Sequence, residues 1–268
     1  MPKNSISGRR CAPPLMLSVM PTKPTTNADL PLGGVLIVGS LWWRKDELRS
    51  RWRDERLELG EAELVWVPIR YGRLSQSGSY TMVFSNSCSR AHRLGIGRVV
   101  PFRCLSQSAQ DLGQEALWLA RAESNDVSAA RIHALWYSVG ILFNPESKHR
   151  RNLTAWWDQI RPDLKADHLL FTSRLKSERP IMSSRAHLNL RWPRRTDGSS
   201  VPCDLDFLLA AATVPTLTSG KYPPVAKIAD AWLADDEYFR NNESSGIRTA
   251  QDDRIRRRIQ EARDLTIG

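Results

Sequence analysis

The chain has 268 residues, 41% of them hydrophobic and 25% charged, with 15 Gly and 16 Pro; this mixture excludes a fibrous, collagen-like or wholly disordered protein and suits a packed core. Lys and Arg number 39 against 29 Asp and Glu, a formal net charge of +10, which permits an anionic partner without requiring one, since the basic residues are spread along the chain. No run reaches the roughly 18 apolar residues of a membrane span; the nearest, Leu32 to Trp43, is interrupted by Gly33, Gly34, Gly39 and Ser40. The expectation is a cytoplasmic protein without membrane association. Cysteines at 11, 88, 104 and 203 show no CxxC spacing, so a reducing compartment and no zinc site are expected.

In chain order, residues 1–30 are rich in Pro, Ser and Thr with a single acid, Asp29, and read as a disordered tail. Gly34 to Val38 is a continuous aliphatic run suited to a strand buried on both faces, and it ends at Gly39-Ser40. Trp43 to Leu59 carries Arg44, Arg49, Arg51, Arg53 and Arg56 among apolar residues and predicts a short basic helix. Glu63 to Tyr71 and Ser79 to Phe84 predict two strands, with Gly72 to Gly78 between them as a wide hairpin loop or flap. Gly97 to Phe102 predicts another strand, Ser108 to Glu123 a helix capped by Ser108, and Arg131 to Phe143 a further strand.

Most of these connections are too short for parallel crossovers. The predicted class is therefore α+β, with a mixed, mainly antiparallel sheet over residues 31–160; these connections leave open its closure into a small β-barrel with flanking helices. Residues 161–268 are expected to be a mostly helical C-terminal extension packed on that core, with loops over Arg174 to Ser200 and helices over Asp204 to Ala212, Val225 to Phe239 and Thr249 to Arg263.

One carboxylate sits where a purely structural helix would not put it. Glu123 follows Leu112 by eleven positions, which at 3.6 residues per turn places it within roughly 20° of that residue, on the stripe shared with Ala116 and Leu119. Gln114 and Arg121 occupy the opposite face. A carboxylate turned inward pairs with a cation, accepts hydrogen bonds or has its pKa raised, and the last is the condition a general acid/base needs. The alternative is a helix that ends near Ala122 and turns Glu123 out to solvent. Glu115 flanks the same stripe and is the fallback acid. The turn Val38-Gly39-Ser40-Leu41 is the second element, because a strand that runs into Gly-Ser can leave main-chain N–H groups free for a carboxylate or an oxyanion.

The order of these elements resembles the gamma-glutamylcyclotransferase-like family, whose members begin with a strand entering a Tyr-Gly-Ser loop and carry an acid on a later helix. Val38-Gly39-Ser40-Leu41 matches the loop, Gly97-Arg-Val-Val100 the strand before the helix, Leu119-Ala-Arg-Ala-Glu123 the acid-bearing segment and Arg131 to Trp136 the strand after it, over about residues 34–143. Val38 stands at the family's tyrosine position, and Ser124 follows the acid where many members have glycine. The resemblance implies a small β-barrel in which Gly39, Ser40 and Leu41 hold a small-molecule substrate of γ-glutamyl type and Glu123 is the general acid/base. The implied products are 5-oxoproline and a released amine. Arg70 and Tyr71, before the flap, are candidates for binding a substrate carboxylate.

Other chemistry has less support. The five histidines are scattered, with no HxxxH or HExxH and no phosphate loop, so no metal or cofactor is expected. Cys88 or Cys104 with His133 lacks a local nucleophile signature. Asp204 and Asp206 alternate around Leu205 and could bind a cation or cap a helix. The competing function is a non-enzymatic basic module that binds nucleic acid or an acidic protein through Arg174 to Arg195 and Arg248 to Arg258.

Overall fold

The structure is a computed structural model that describes residues 30–161, 178–199 and 204–267. Residues 1–29 of the expected tail and the start of the basic stretch, 174–177, lie outside the described residues. Strand β1 (Gly33–Ile37) is buried along its whole length. Its apolar side chains on both faces let it occupy the interior of a sheet with elements packed above and below. It pairs antiparallel with β5 (Gly95–Pro101), Val35 facing Val100, and β5 pairs in turn with β2 (Glu63–Val67).

The other side of β1 is taken by β9 (Phe207–Thr213), which runs parallel to it, Val35 facing Leu209. The expected helix over Asp204 to Ala212 is thus a strand. Its sequence, FLLAAAT, is apolar on both faces, so no polar residue reports a period, and the helix propensity of Leu and Ala gives way to ladders on both edges. The far edge of β9 pairs antiparallel with β7 (Tyr137–Phe143), Leu209 facing Ile141. The segment expected as an extension therefore supplies a central strand. The predicted strand over Arg131 to Phe143 is itself divided into β6 (His133–Ala134) and β7.

The seven-stranded sheet has the order β6-β7-β9-β1-β5-β2-β8, where β8 is Arg194–Arg195. It is mixed and mainly antiparallel but open, which corrects the expected barrel. Its edges, β6 and β8, are each two residues long, short enough to offer little template for further pairing. The barrel fails at Pro68, which divides the run Glu63 to Tyr71 between two sheets. β2 stays in the large sheet, whereas β3 (Ile69–Leu74) among the described residues pairs only with β4 (Tyr80–Phe84), in a separate hairpin. Proline cannot donate to a ladder, and here its carbonyl accepts from Ser85 N at 2.8 Å at the base of that hairpin. The loop expected from Gly72 to Gly78 shrinks accordingly, because β3 continues to Leu74 with Gly72 as an extra residue at a bulge: Tyr71 faces Met82 and Arg73 faces Thr81.

Helices surround these sheets. After the single turn α1 (Ser40–Trp43), α2 (Glu47–Arg56) starts at Asp46, whose side chain accepts from Arg49 N. α3 (Ala109–Ser124) has Ser108 as its N-cap, accepting from Asp111 N, and Asp111 Oδ2 accepts from Gln107 N at 2.9 Å. α3 packs on β7 and β9 and against α2 and α4 (Arg150–Ile160). The helix expected over Val225 to Phe239 is two, α5 (Val225–Ala234) and α6 (Glu237–Ser244), separated at Asp235, whose Oδ2 accepts from Ser79 Oγ at 3.0 Å. The final helix is α7 (Asp252–Ile267). No helix among the described residues is long and apolar enough to cross a membrane.

Because Leu209 is fully buried between β1 and β7, Leu209→Ala is expected to cost about 2–5 kcal/mol in denaturant-induced unfolding.

Candidate functional site

Gly39, directly after β1, has φ 86° and ψ −141°, a region that side-chain-bearing residues adopt only at a cost of about 1–3 kcal/mol. Space enforces the same choice, since a Cβ there would lie 2.5 Å from the Tyr238 hydroxyl oxygen. Tyr238, on α6, is fixed in place by accepting a hydrogen bond from Met82 N at 3.0 Å, and Trp43 packs edge-on against its ring at 5.8 Å. Burial pushes the Tyr238 hydroxyl up to about 12, with the nearby Glu123 carboxylate adding to the rise and the Met82 amide opposing it.

Ser40 and Leu41 follow Gly39 and line a cavity of about 50 Å3 that also has Val38, Arg73, Glu123 and Tyr238 on its walls. That volume suits a few water molecules or a small polar head group. The matched loop and the predicted acid therefore line one pocket.

Glu123 reaches the pocket because α3 does not end at Ala122. The helix continues through Ser124 and closes at Asn125 in the left-handed conformation, φ 54° and ψ 41°. The Arg49 guanidinium, on α2, donates through Nη2 to the Glu123 carbonyl oxygen at 3.1 Å and holds this last turn. Glu123 is half-buried, and its side chain lies against the cavity. Burial pushes its carboxyl above the ordinary value, with the positive charges of Arg49 and Arg73 opposing. No described residue donates a hydrogen bond to that carboxylate.

Arg73 is the cation on the cavity wall, with its Cζ 4.0 Å from the centre of the Trp136 ring. Arg70 and Tyr71 are placed elsewhere. Arg70 stacks on Tyr222 at 4.1 Å and donates to Ser87 Oγ at 3.4 Å. Tyr71 is fully buried against Phe239, ring centres 5.2 Å apart, and near Asp252, its hydroxyl pushed up mainly by burial. The bulge at Gly72 makes this difference, since the extra residue moves Arg73 off the face that Tyr71 occupies. Strict alternation along the strand hides such a shift. Tyr238 was likewise not legible as a site residue, because it comes from a helix 199 positions beyond Gly39 and its local sequence carries no signal of that contact.

The fallback acid, Glu115, is buried and paired with Arg56, whose Nε also lies 3.3 Å from Glu115 Oε2, and it joins α3 to α2. Asp206 accepts from Leu32 N at 2.9 Å and Ser147 Oγ at 2.5 Å, which ties the start of β9 to its neighbours. Cys88, Cys104 and His133 do not line the cavity. Among the described residues no group of three or more His, Cys, Asp or Glu is placed to hold a metal ion. Several arginines of the basic segments are paired within the chain: Arg185 with Asp158 at 3.8 Å, Arg195 with Glu63, Arg256 with Glu243 at 2.7 Å and Arg258 with Glu261 at 3.3 Å. Comparison of the chain with protein-family profiles, with curated proteins and with solved structures gave no match.

Two outcomes follow from this geometry. Gly39→Ala is expected to lower stability by about 1–3 kcal/mol in chemical denaturation, and Tyr238→Phe in the same chain should recover part of that loss by removing the oxygen the new Cβ meets. Replacing Glu123 with Gln should raise the melting temperature at neutral pH. A carboxyl whose pKa is higher folded than unfolded makes folding less favourable above its folded pKa, and that cost disappears below the unfolded value; the gain should therefore vanish as pH falls below about 4, which a series of thermal melts against pH reads directly.

Proposed function

We propose that the protein is a gamma-glutamylcyclotransferase-like enzyme that catalyses intramolecular aminolysis of a small amine-bearing substrate of γ-glutamyl type, with Glu123 as general acid/base and the Gly39–Leu41 loop as the substrate-binding element. The observation that carries this is the shared cavity: among the described residues the one carboxylate on its wall comes from the last turn of α3, and the loop that follows β1 lines the same space. A small enclosed space with a carboxylate raised in pKa and a backbone turn is what this reaction asks of a protein.

In this mechanism Glu123 takes a proton from the substrate's α-amino group, and the freed nitrogen attacks the γ-carbonyl carbon. The carbonyl oxygen gains negative charge, which the amides of Ser40 and Leu41 are suited to receive, because N–H groups in the first turn of a helix have no acceptor within it. The C–N bond to the leaving amine then breaks as Glu123 returns the proton to that nitrogen. The products are 5-oxoproline and the amine, and the carboxylate is regenerated. Val38, at the position of the family's tyrosine, contributes an apolar wall, so the hydroxyl nearest the loop is that of Tyr238 from α6.

A basic interaction module is the weaker alternative. Part of the charge it would need is spent on ion pairs within the chain, among them Arg195 with Glu63 and Arg256 with Glu243.

Glu123→Gln should keep the fold and lower turnover of γ-glutamyl compounds by at least about 100-fold, within the usual contribution of a general acid/base. In the wild type the acid limb of kcat/KM should lie above the ordinary carboxylate range, with activity rising as pH rises through the raised pKa of Glu123. Equal rates for wild type and variant would remove Glu123 from the reaction.

A further inference from the structure

We propose that Arg73 is the carboxylate anchor of this cavity, so that the molecule it admits carries a carboxylate beside its reacting amine, as the head group of a free α-amino acid does. That the molecule has this head group rests on the function proposed above, since a γ-glutamyl compound carries both groups; that Arg73 holds its carboxylate rests on the geometry of Arg73.

Other arginines near the site are committed to the protein. Arg53 donates to Leu41 O at 2.7 Å and Arg44 O at 2.6 Å, Arg98 donates to Ser245 O at 2.6 Å, and Arg49 is shared between Asp46 and the Glu123 carbonyl. Arg73 differs. Among the described residues no carboxylate or carbonyl accepts a hydrogen bond from its guanidinium, and it forms no ion pair with Glu123 although both line the same cavity. One face of the guanidinium lies on Trp136, and that contact orients a planar fork of donors without using them, since stacking on an aromatic face leaves the in-plane N–H groups available. Such a fork matches the two oxygens of a carboxylate.

The spacing of charge adds to this. One cation and one carboxylate on the wall of an approximately 50 Å3 space, unpaired with each other, are complementary to a ligand that holds its own opposite charges on neighbouring atoms. An α-ammonium facing Glu123 and an α-carboxylate facing Arg73 meet that condition with a single carbon between them. A neutral amine lacking the acid would leave the guanidinium desolvated and without a partner, which disfavours it.

The experiment is calorimetric titration of the full chain with 5-oxoproline and with its carboxamide, which differ only at the acid group and contain no basic amine. The wild type is expected to bind the acid at least tenfold more tightly than the amide, as about 1.4 kcal/mol from a charge-assisted pair implies. Arg73→Met should abolish that preference, and Arg73→Lys should retain part of it, since an ammonium keeps the charge but loses the fork. Equal binding of the two compounds by the wild type, or binding of neither, overturns the anchor; so does a preserved preference in an Arg73→Met protein that melts like the wild type. If Arg73→Met does not fold, the wild-type comparison and the Lys variant decide the matter. A clear preference for the acid combined with unchanged turnover in Glu123→Gln would leave the anchor standing and remove the acid/base assignment. The reverse pattern would remove only the anchor.

Discussion

Leu209 faces Val35 across a parallel ladder on one side and Ile141 across an antiparallel ladder on the other, and through that one strand the two halves of the large sheet become continuous. β6 and β7 lie on one side of β9, and β1, β5, β2 and β8 on the other. α3 packs on β7 and β9, so the position of its last turn relative to the end of β1 is set by a strand contributed from beyond residue 203. Everything in the pocket inherits this. The loop after β1 belongs to one half of the sheet and the acid of α3 leans on the other, and β9 fixes the distance between them while Ala211 and Thr213 line the floor. Backbone pairing on both edges of a buried strand is a rigid way to hold such a distance, since neither edge can slip without unsatisfying polar groups.

The placement of Glu123 also shows how a helix can raise a carboxylate's proton affinity twice over. Burial disfavours its charge, and the C-terminal end of a helix carries the negative pole of the macrodipole, where an anion is unwelcome. Arg49 offsets part of this by donating to the carbonyl of the same residue, so the backbone of the last turn is satisfied while the carboxylate above it is not. Glu115, two turns earlier on the same helix, has Arg56 as a direct partner. Two acids of one helix thus differ in their partners: the buried Glu115 is ion-paired and joins two helices, whereas the half-buried Glu123 faces a cavity.

How much of this was legible beforehand varies with the range over which each signal acts. β1, α3 and its cap at Ser108 are local patterns, and the angular position of Glu123 on α3 followed from helical periodicity alone. The strand character of Phe207–Thr213 was not, because an apolar segment with no polar residue has no period to read, and only the vacant edges of β1 and β7 decide its conformation. Pro68 carries a signal within the run Glu63 to Tyr71, since a proline inside a strand marks an edge or a break; the expectation of a barrel rests instead on the short connections and on the resemblance, neither of which reports where a strand changes sheet. Arg70 and Tyr71 were sensible candidates under regular alternation, and Arg73 replaced them through a backbone irregularity that depends on tertiary packing. The contact of Tyr238 with Gly39 is set by the docking of a distant helix, for which short-range pattern has no information.

Gly72 has a further consequence for how this strand can change. A Cβ at that position would lie 2.5 Å from Val83 Cγ2 and 3.2 Å from the ring of Tyr222, so the inserted residue is confined to glycine by its neighbours. Loss of that single codon would make Tyr71 and Arg73 consecutive, still opposite Met82 and Thr81, so the strand would straighten while the guanidinium kept its face. Were the same glycine drawn into the ladder opposite Thr81 instead, Arg73 would turn to the side of Tyr71, so the pocket keeps its cation only while that one residue is left out of the pairing.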